Sequence, residues 1–136
     1  MLFYQLQHLY DVADSAKDLG YYSSLEEVSQ RVEIYKTVAG FREYPDGFII
    51  VPLNSAVVEP DKPFYEAGIW NHTIDFEMED YISLGFFAQE EDAQHALDYF
   101  NVLNQTTIPG VVKETYIAKH VLNRPEWSEG FLGIQS

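Results

Sequence analysis

Four histidines and a run of carboxylates are the residues in this sequence with the means to do chemistry. The histidines are His8, His72, His95 and His120. None has the close His/Glu spacing by which one helix face offers ligands to a metal. His8 and His72 fall on the apolar side of alternating segments, where an imidazole is expected to pack into the core with hydrogen bonds. A fold that brought those two together would raise the case for a catalytic or metal role. The densest acidic cluster is Asp75, Glu77, Glu79 and Asp80. Read as strand, Asp75, Glu77 and Glu79 share one face, where they repel one another unless exposed or countered by a cation. Calcium accepts such oxygens, but neither the spacing nor the loop glycine of an EF-hand is present. The cluster therefore reads as a solvated face or as a docking surface for a basic protein.

Other catalytic signatures are missing from the sequence. Neither Leu19-Gly20 nor Pro109-Gly110 belongs to a phosphate-cradling glycine loop, and no Gly-x-Ser-x-Gly element occurs. The chain has no cysteine, so thiol nucleophiles, disulfides and zinc-thiolate sites are excluded. No catalytic residue, metal ligand or cofactor is assigned, and the expectation is a protein that is not an enzyme. Aromatic side chains beside carboxylates have a better claim to function, because Trp and Tyr dominate binding hot spots. Two such places stand out. One is the turn Tyr44-Pro45-Asp46-Gly47, giving Tyr44 and Asp46. The other is the segment 125–131, giving Trp127 and Glu129, which is expected either to fold back over the core or to present an anchor.

The elements that position these residues recur. Leu2, Tyr4, Leu6, His8 and Tyr10 alternate with polar residues, the period of a half-buried strand. Leu19 to Tyr22 reads as a short second strand. Ser23-Ser24-Leu25-Glu26-Glu27 offers a helix-capping box in two registers, Ser23 with Glu26 or Ser24 with Glu27. Leu25, Val28, Val32, Tyr35 and Ala39 then form one apolar stripe, with Gly40 as a stop. Phe48 to Leu53 reads as a buried strand, with Pro52 hinting at an edge or an end. The pattern restarts near Trp70. Trp70, His72, Ile74, Phe76 and Met78 alternate, Leu84-Gly85-Phe86-Phe87 follows, and Glu90-Glu91-Asp92 opens a second helix striped by Ala93, Leu97, Phe100 and Leu103. Val111 to Leu122 is again β-like. A fixed shift of 65 superposes the helical stripes and the two Leu-Gly dipeptides.

The expected fold is α+β. Two β-β-α-β repeats, 1–69 and 70–136, form a single domain 1–136. Each helix packs its stripe on one face of antiparallel sheet, in a ferredoxin-like or related pseudo-two-fold arrangement. Tyr4 to His8, Gly20 to Glu27, Gly40 to Phe48 and Trp127 to Phe131 together resemble a small bacterial domain of unknown function. The resemblance covers the first half and returns at the tail, with an extra half between them. It implies the fold unit, no established activity, and no catalytic residue.

Bulk composition narrows the partners. Eight Lys and Arg against 22 Asp and Glu leave a net charge of −14 over 136 residues. Such a chain repels nucleic-acid phosphates and anionic headgroups, so neither nucleic acid nor membrane is expected as partner. The N-terminus carries no basic segment or long apolar run, and a cytoplasmic location is the expectation. The leading functional expectation is an acidic, non-enzymatic protein-binding domain, in its specific version a bacterial immunity protein that neutralises a cognate toxin. The alternatives are a self-associating structural or regulatory domain, and a small-ligand binder or enzyme using the groove between repeats. Both monomer and homodimer remain open.

Overall fold

The computed structural model describes residues 1–9, 17–75, 78–104 and 108–126. The elements run β1 (Leu2–His8), β2 (Lys17–Tyr22), α1 (Leu25–Tyr35), β3 (Phe48–Asn54), β4 (Phe64–Thr73), β5 (Glu79–Phe87), α2 (Glu90–Leu103) and β6 (Val111–His120). They make an α+β fold of two three-stranded antiparallel sheets, ordered β2-β1-β3 and β5-β4-β6. Both outer strands of each sheet are antiparallel to its central strand, so they run parallel to each other. The intervening helix is the crossover that such a parallel pair requires.

The chain divides into two compact units: residues 1–55 together with the segment from Val121, and residues 56–120. Unit 1 has its core between α1 and the sheet, built from Leu6, Leu19, Tyr22, Val28, Tyr35 and Phe41. Ser24 caps α1 with extended backbone, its hydroxyl oxygen accepting the Glu27 N–H at 3.1 Å. The Ser24/Glu27 register is therefore the one used, and it satisfies an amide that the helix itself leaves open. α1 stops at Tyr35, short of Ala39, and Gly40 at φ +86° turns the chain toward β3.

The segment after β6 docks back on unit 1. The Asn123 N–H donates to the Tyr21 carbonyl at 2.7 Å and the Glu126 N–H to the Leu19 carbonyl at 3.4 Å. The Asn123 side chain accepts from the Ser23 N–H at 3.0 Å, and the Tyr35 hydroxyl donates to the Glu126 carbonyl. Leu122 is buried. This segment covers the outer edge of β2, whose carbonyls would otherwise face an open side.

Unit 2 repeats the plan. The shift of 65 carries Val28, Val32 and Tyr35 onto Ala93, Leu97 and Phe100, and all six lie in the two cores. It also carries Gly20 onto Gly85, at φ +108° and +110°, each beside an irregularity in its ladder. The start of the second repeat differs from the expectation. β4 begins at Phe64, and Trp70 falls inside it. Ladder partners align Phe3-Tyr4 with Phe64-Tyr65, Leu6 with Ala67 and His8 with Ile69, a shift of 61. Trp70 is a poor marker because it continues the two-residue period of a strand already under way. β3 also departs from the buried strand expected. It is an edge strand with Ile49 and Ile50 both exposed.

Candidate functional site

Matching the two ladders shows where the units differ. His8 corresponds to Ile69, Lys17 to Ile82 and Phe48 to Thr115. Each strand of the second sheet therefore continues past its counterpart: β4 by residues 70–73, β5 by 79–81 and β6 by 111–114. Among the described residues unit 1 shows no equivalent of this extension, which carries His72, Glu79 and Asp80.

On the face away from α2, it presents Trp70, His72, Glu79, Tyr81, Val112 and Glu114. Trp70 and Tyr81 are cross-strand partners whose rings lie nearly parallel, 6° apart in plane and 6.0 Å between centroids. The His72 ring lies 4.2 Å from that of Trp70. Both imidazole nitrogens face acceptors: Nδ1 is 2.9 Å from the Thr73 carbonyl and Nε2 is 2.8 Å from a Glu114 carboxylate oxygen. Only an imidazolium donates in both directions. Its pKa is raised by the Thr73 carbonyl first and by Glu114 and Glu79 next, against an opposing push from burial. His72 is 6% exposed. Held at both ends, it fixes β4 to β6 and braces Trp70; its enclosure suits a structural cation better than a proton shuttle.

The β4–β5 turn projects from the extension. The Thr73 hydroxyl donates to Asp75 at 2.6 Å and accepts the Met78 N–H at 3.2 Å, and the Thr73 N–H donates to the Met78 carbonyl at 3.0 Å. These bonds end the strand at Thr73, so Asp75 and Glu79 do not share a strand face as the alternation implied. Asp75 sits in the turn, while Glu79 and Asp80 begin β5 with side chains on opposite sheet faces. All three are exposed. Beside them Ile74, Met78 and Tyr81 are 77%, 70% and 54% exposed. Asn71, His72, Thr73, Met78, Glu79, Asp80 and Val111 line a shallow depression of about 180 Å³ under the turn. Glu77 lies outside the described residues.

The remaining candidates are dispersed. Tyr44 is half-buried in unit 1, with its carbonyl 2.9 Å from His8 Nε2, and Asp46 is exposed one turn further on. Trp127 and Glu129 lie outside the described residues. His8 faces α1, edge-on to Phe41 and Phe48 at 4.9 and 4.7 Å between centroids. Burial lowers its pKa, with the Tyr44 carbonyl opposing. His8 and His72 are not equivalent positions, since Ile69 holds the place of His8 and His72 faces away from α2. His120 sits 4.0 Å from Glu66, and His95 lies exposed on α2. Among the described residues no group of three or more His, Asp and Glu is placed to hold a metal ion, and no helix is long and apolar enough to cross a membrane.

The His72–Glu114 contact and the sheet extension were not found from sequence. No local signal marks them, because the alternation Leu2 to Tyr10 is as long as that of Trp70 to Met78. Comparison with known proteins returns no matching family model, no matching curated protein and no matching solved structure.

Proposed function

We propose that this chain is a non-enzymatic protein-binding domain that engages a basic protein through the β4–β5 turn end of unit 2. The observation that carries the reading is the juxtaposition of exposed Ile74, Met78 and Tyr81 with the carboxylates of Asp75, Glu79 and Asp80, at the end of an extension without a counterpart among the described residues of unit 1. Apolar anchors inside a charged rim are the usual anatomy of a binding patch. A net charge of −14 steers a basic partner toward it and repels acidic competitors. The braced Trp70–His72–Glu114 set holds Tyr81 in place before binding, which lowers the ordering cost of association.

The specific version is an immunity protein that neutralises a toxin made by the same cell. Its basis is the acidic charge together with a sequence without catalytic motifs. The test is capture from source cells with the wild-type chain and with an Ile74→Ser/Met78→Ser variant as parallel baits. The reading predicts a basic protein retained by the first and lost by the second. Equal retention by both baits removes the turn end from the account. A captured basic protein that is not toxic on its own removes the immunity version and leaves the general one.

A further inference from the structure

The described strands leave four sheet edges, and three of them are covered, interrupted or broken by proline. The outer edge of β2 is covered, because the carbonyls of Leu19 and Tyr21 accept from Glu126 and Asn123. The outer edge of β5 is interrupted by the register irregularity at Gly85, where φ is +110°. The outer edge of β3 is closed by proline. Met1 and Ser55 exchange both backbone hydrogen bonds and Leu9 donates to Gly47, which makes the odd positions of β1 the hydrogen-bonded ones. Pro52, opposite Tyr4, is therefore an outward-facing position, and it has no N–H to offer.

β6 is different. Thr73 bonds through its N–H toward β5, and the Val111 N–H donates to Ile108. The Thr73–Val111 pair is thus not hydrogen-bonded across the ladder, and by alternation neither are those at Lys113, Thr115, Ile117 and Lys119. These four residues point N–H and C=O groups outward along an unbulged, proline-free strand. Lys119 occupies the place that Pro52 fills in β3. Lys113, Thr115 and Lys119 are exposed. Among the described residues no strand pairs with this edge.

We propose that β6 is a homodimerisation edge, with a second copy of this chain adding its own β6 antiparallel about a two-fold axis at Thr115. Charge and the longer overlap of the two strands together favour this occupant and register. Centred on Thr115, Lys113 faces Ile117, Glu114 faces Tyr116 and Val111 faces Lys119, so no like charges oppose each other. Moving the axis to residue 114 sets Glu114 against Glu114, and moving it to 116 sets Lys113 against Lys119. Each of those is unfavourable across a ladder. The same strand from a basic protein would bring cations up to Lys113 and Lys119. An isologous strand pair is a common route to closed two-fold symmetry. Two chains of −14 repel one another at long range, so this dimer strengthens as salt screens them. That is the opposite sign to the basic-partner complex, and the two readings fail separately.

The test is sedimentation velocity on the full chain over a range of protein and NaCl concentrations, with circular dichroism to verify folding of variants. The wild type is expected to dimerise with rising concentration, more so at high salt. Thr115→Pro removes the central pair of intermolecular donors without touching the internal ladder, and should weaken the dimer by roughly tenfold or more. Thr115→Lys keeps the donors, sets like charges face to face, and should weaken it by about threefold. A chain that stays monomeric at high salt up to its solubility limit overturns the proposal. So does a dimer that dissociates with salt, or one that both folded variants leave unchanged.

Discussion

Gly20 and Gly85 offer a controlled experiment within one chain. They stand at equivalent places in the two units, with φ of +108° and +110°, a region that side-chain-bearing residues rarely adopt. A Cβ at Gly85 meets nothing within 4 Å, whereas one at Gly20 would lie 2.6 Å from the Arg124 carbonyl oxygen and 3.2 Å from the Tyr22 hydroxyl. Gly85→Ala therefore isolates the backbone cost, about 1–3 kcal/mol for a residue held in such a conformation. Gly20→Ala carries the same cost plus a clash with backbone that cannot rotate away, adding about 1–3 kcal/mol of the kind seen on overpacking. The only relief is for the segment 122–126 to lift from β2, which gives up the Asn123 and Glu126 bonds. Urea denaturation of both variants should show Gly20→Ala losing roughly twice as much stability as Gly85→Ala. Hydrogen exchange should show the Asn123 amide, bonded to the Tyr21 carbonyl, opening faster in Gly20→Ala alone. Equal losses would refute the docking of the returning segment. A neutral Gly85→Ala would refute the matched backbone geometry on which the duplication rests.

Two further outcomes follow from the same contacts. In an NMR titration His8 should titrate below the usual imidazole value of about 6.5 and His72 above it. The signs for stability are opposite: the contribution of His8 is lost as pH falls below about 6.5, because the unfolded chain takes the proton first, and that of His72 is present below about 6.5 and lost as pH rises through its folded value. A shared midpoint would contradict the geometry of both. Asn123, at φ +64° with its side chain bonded to Ser23, should lose about 1–3 kcal/mol on Asn123→Ala, and less on Asn123→Gly, which relieves the backbone while losing the same side-chain bonds. Equal denaturation midpoints for the two variants would show that φ contributes nothing there.

Much of the architecture was legible because helices write their burial at a fixed spacing. Val28, Val32 and Tyr35 repeat as Ala93, Leu97 and Phe100, and the capping serine sits just ahead of the first stripe. The Leu-Gly dipeptides were legible too, since a left-handed backbone position needs glycine. The strands were harder. Alternation has no end marker, so Ile74 and Met78 continued the rhythm of Trp70 and His72 although Thr73 closes a turn there through its hydroxyl. The four extra residues of β4 shifted the apparent repeat start from Phe64 to Trp70 and concealed the Phe-Tyr identity of the two first strands. The acidic cluster was visible as composition, but its distribution over a turn and two sheet faces depends on where β4 stops. The His72–Glu114 pair joins residues 42 apart and is set by register, which no local pattern encodes.

The partner reading turns on the rate of association. The direct measurement is the association rate constant between the chain and its captured partner across NaCl concentrations, for the wild type and for Asp75→Asn/Glu79→Gln/Asp80→Asn. The wild-type rate should fall steeply with salt, and the variant should be slower by roughly two- to tenfold at low salt and converge with it at high salt. Rates that are independent of salt, or identical for the two chains throughout, would contradict it.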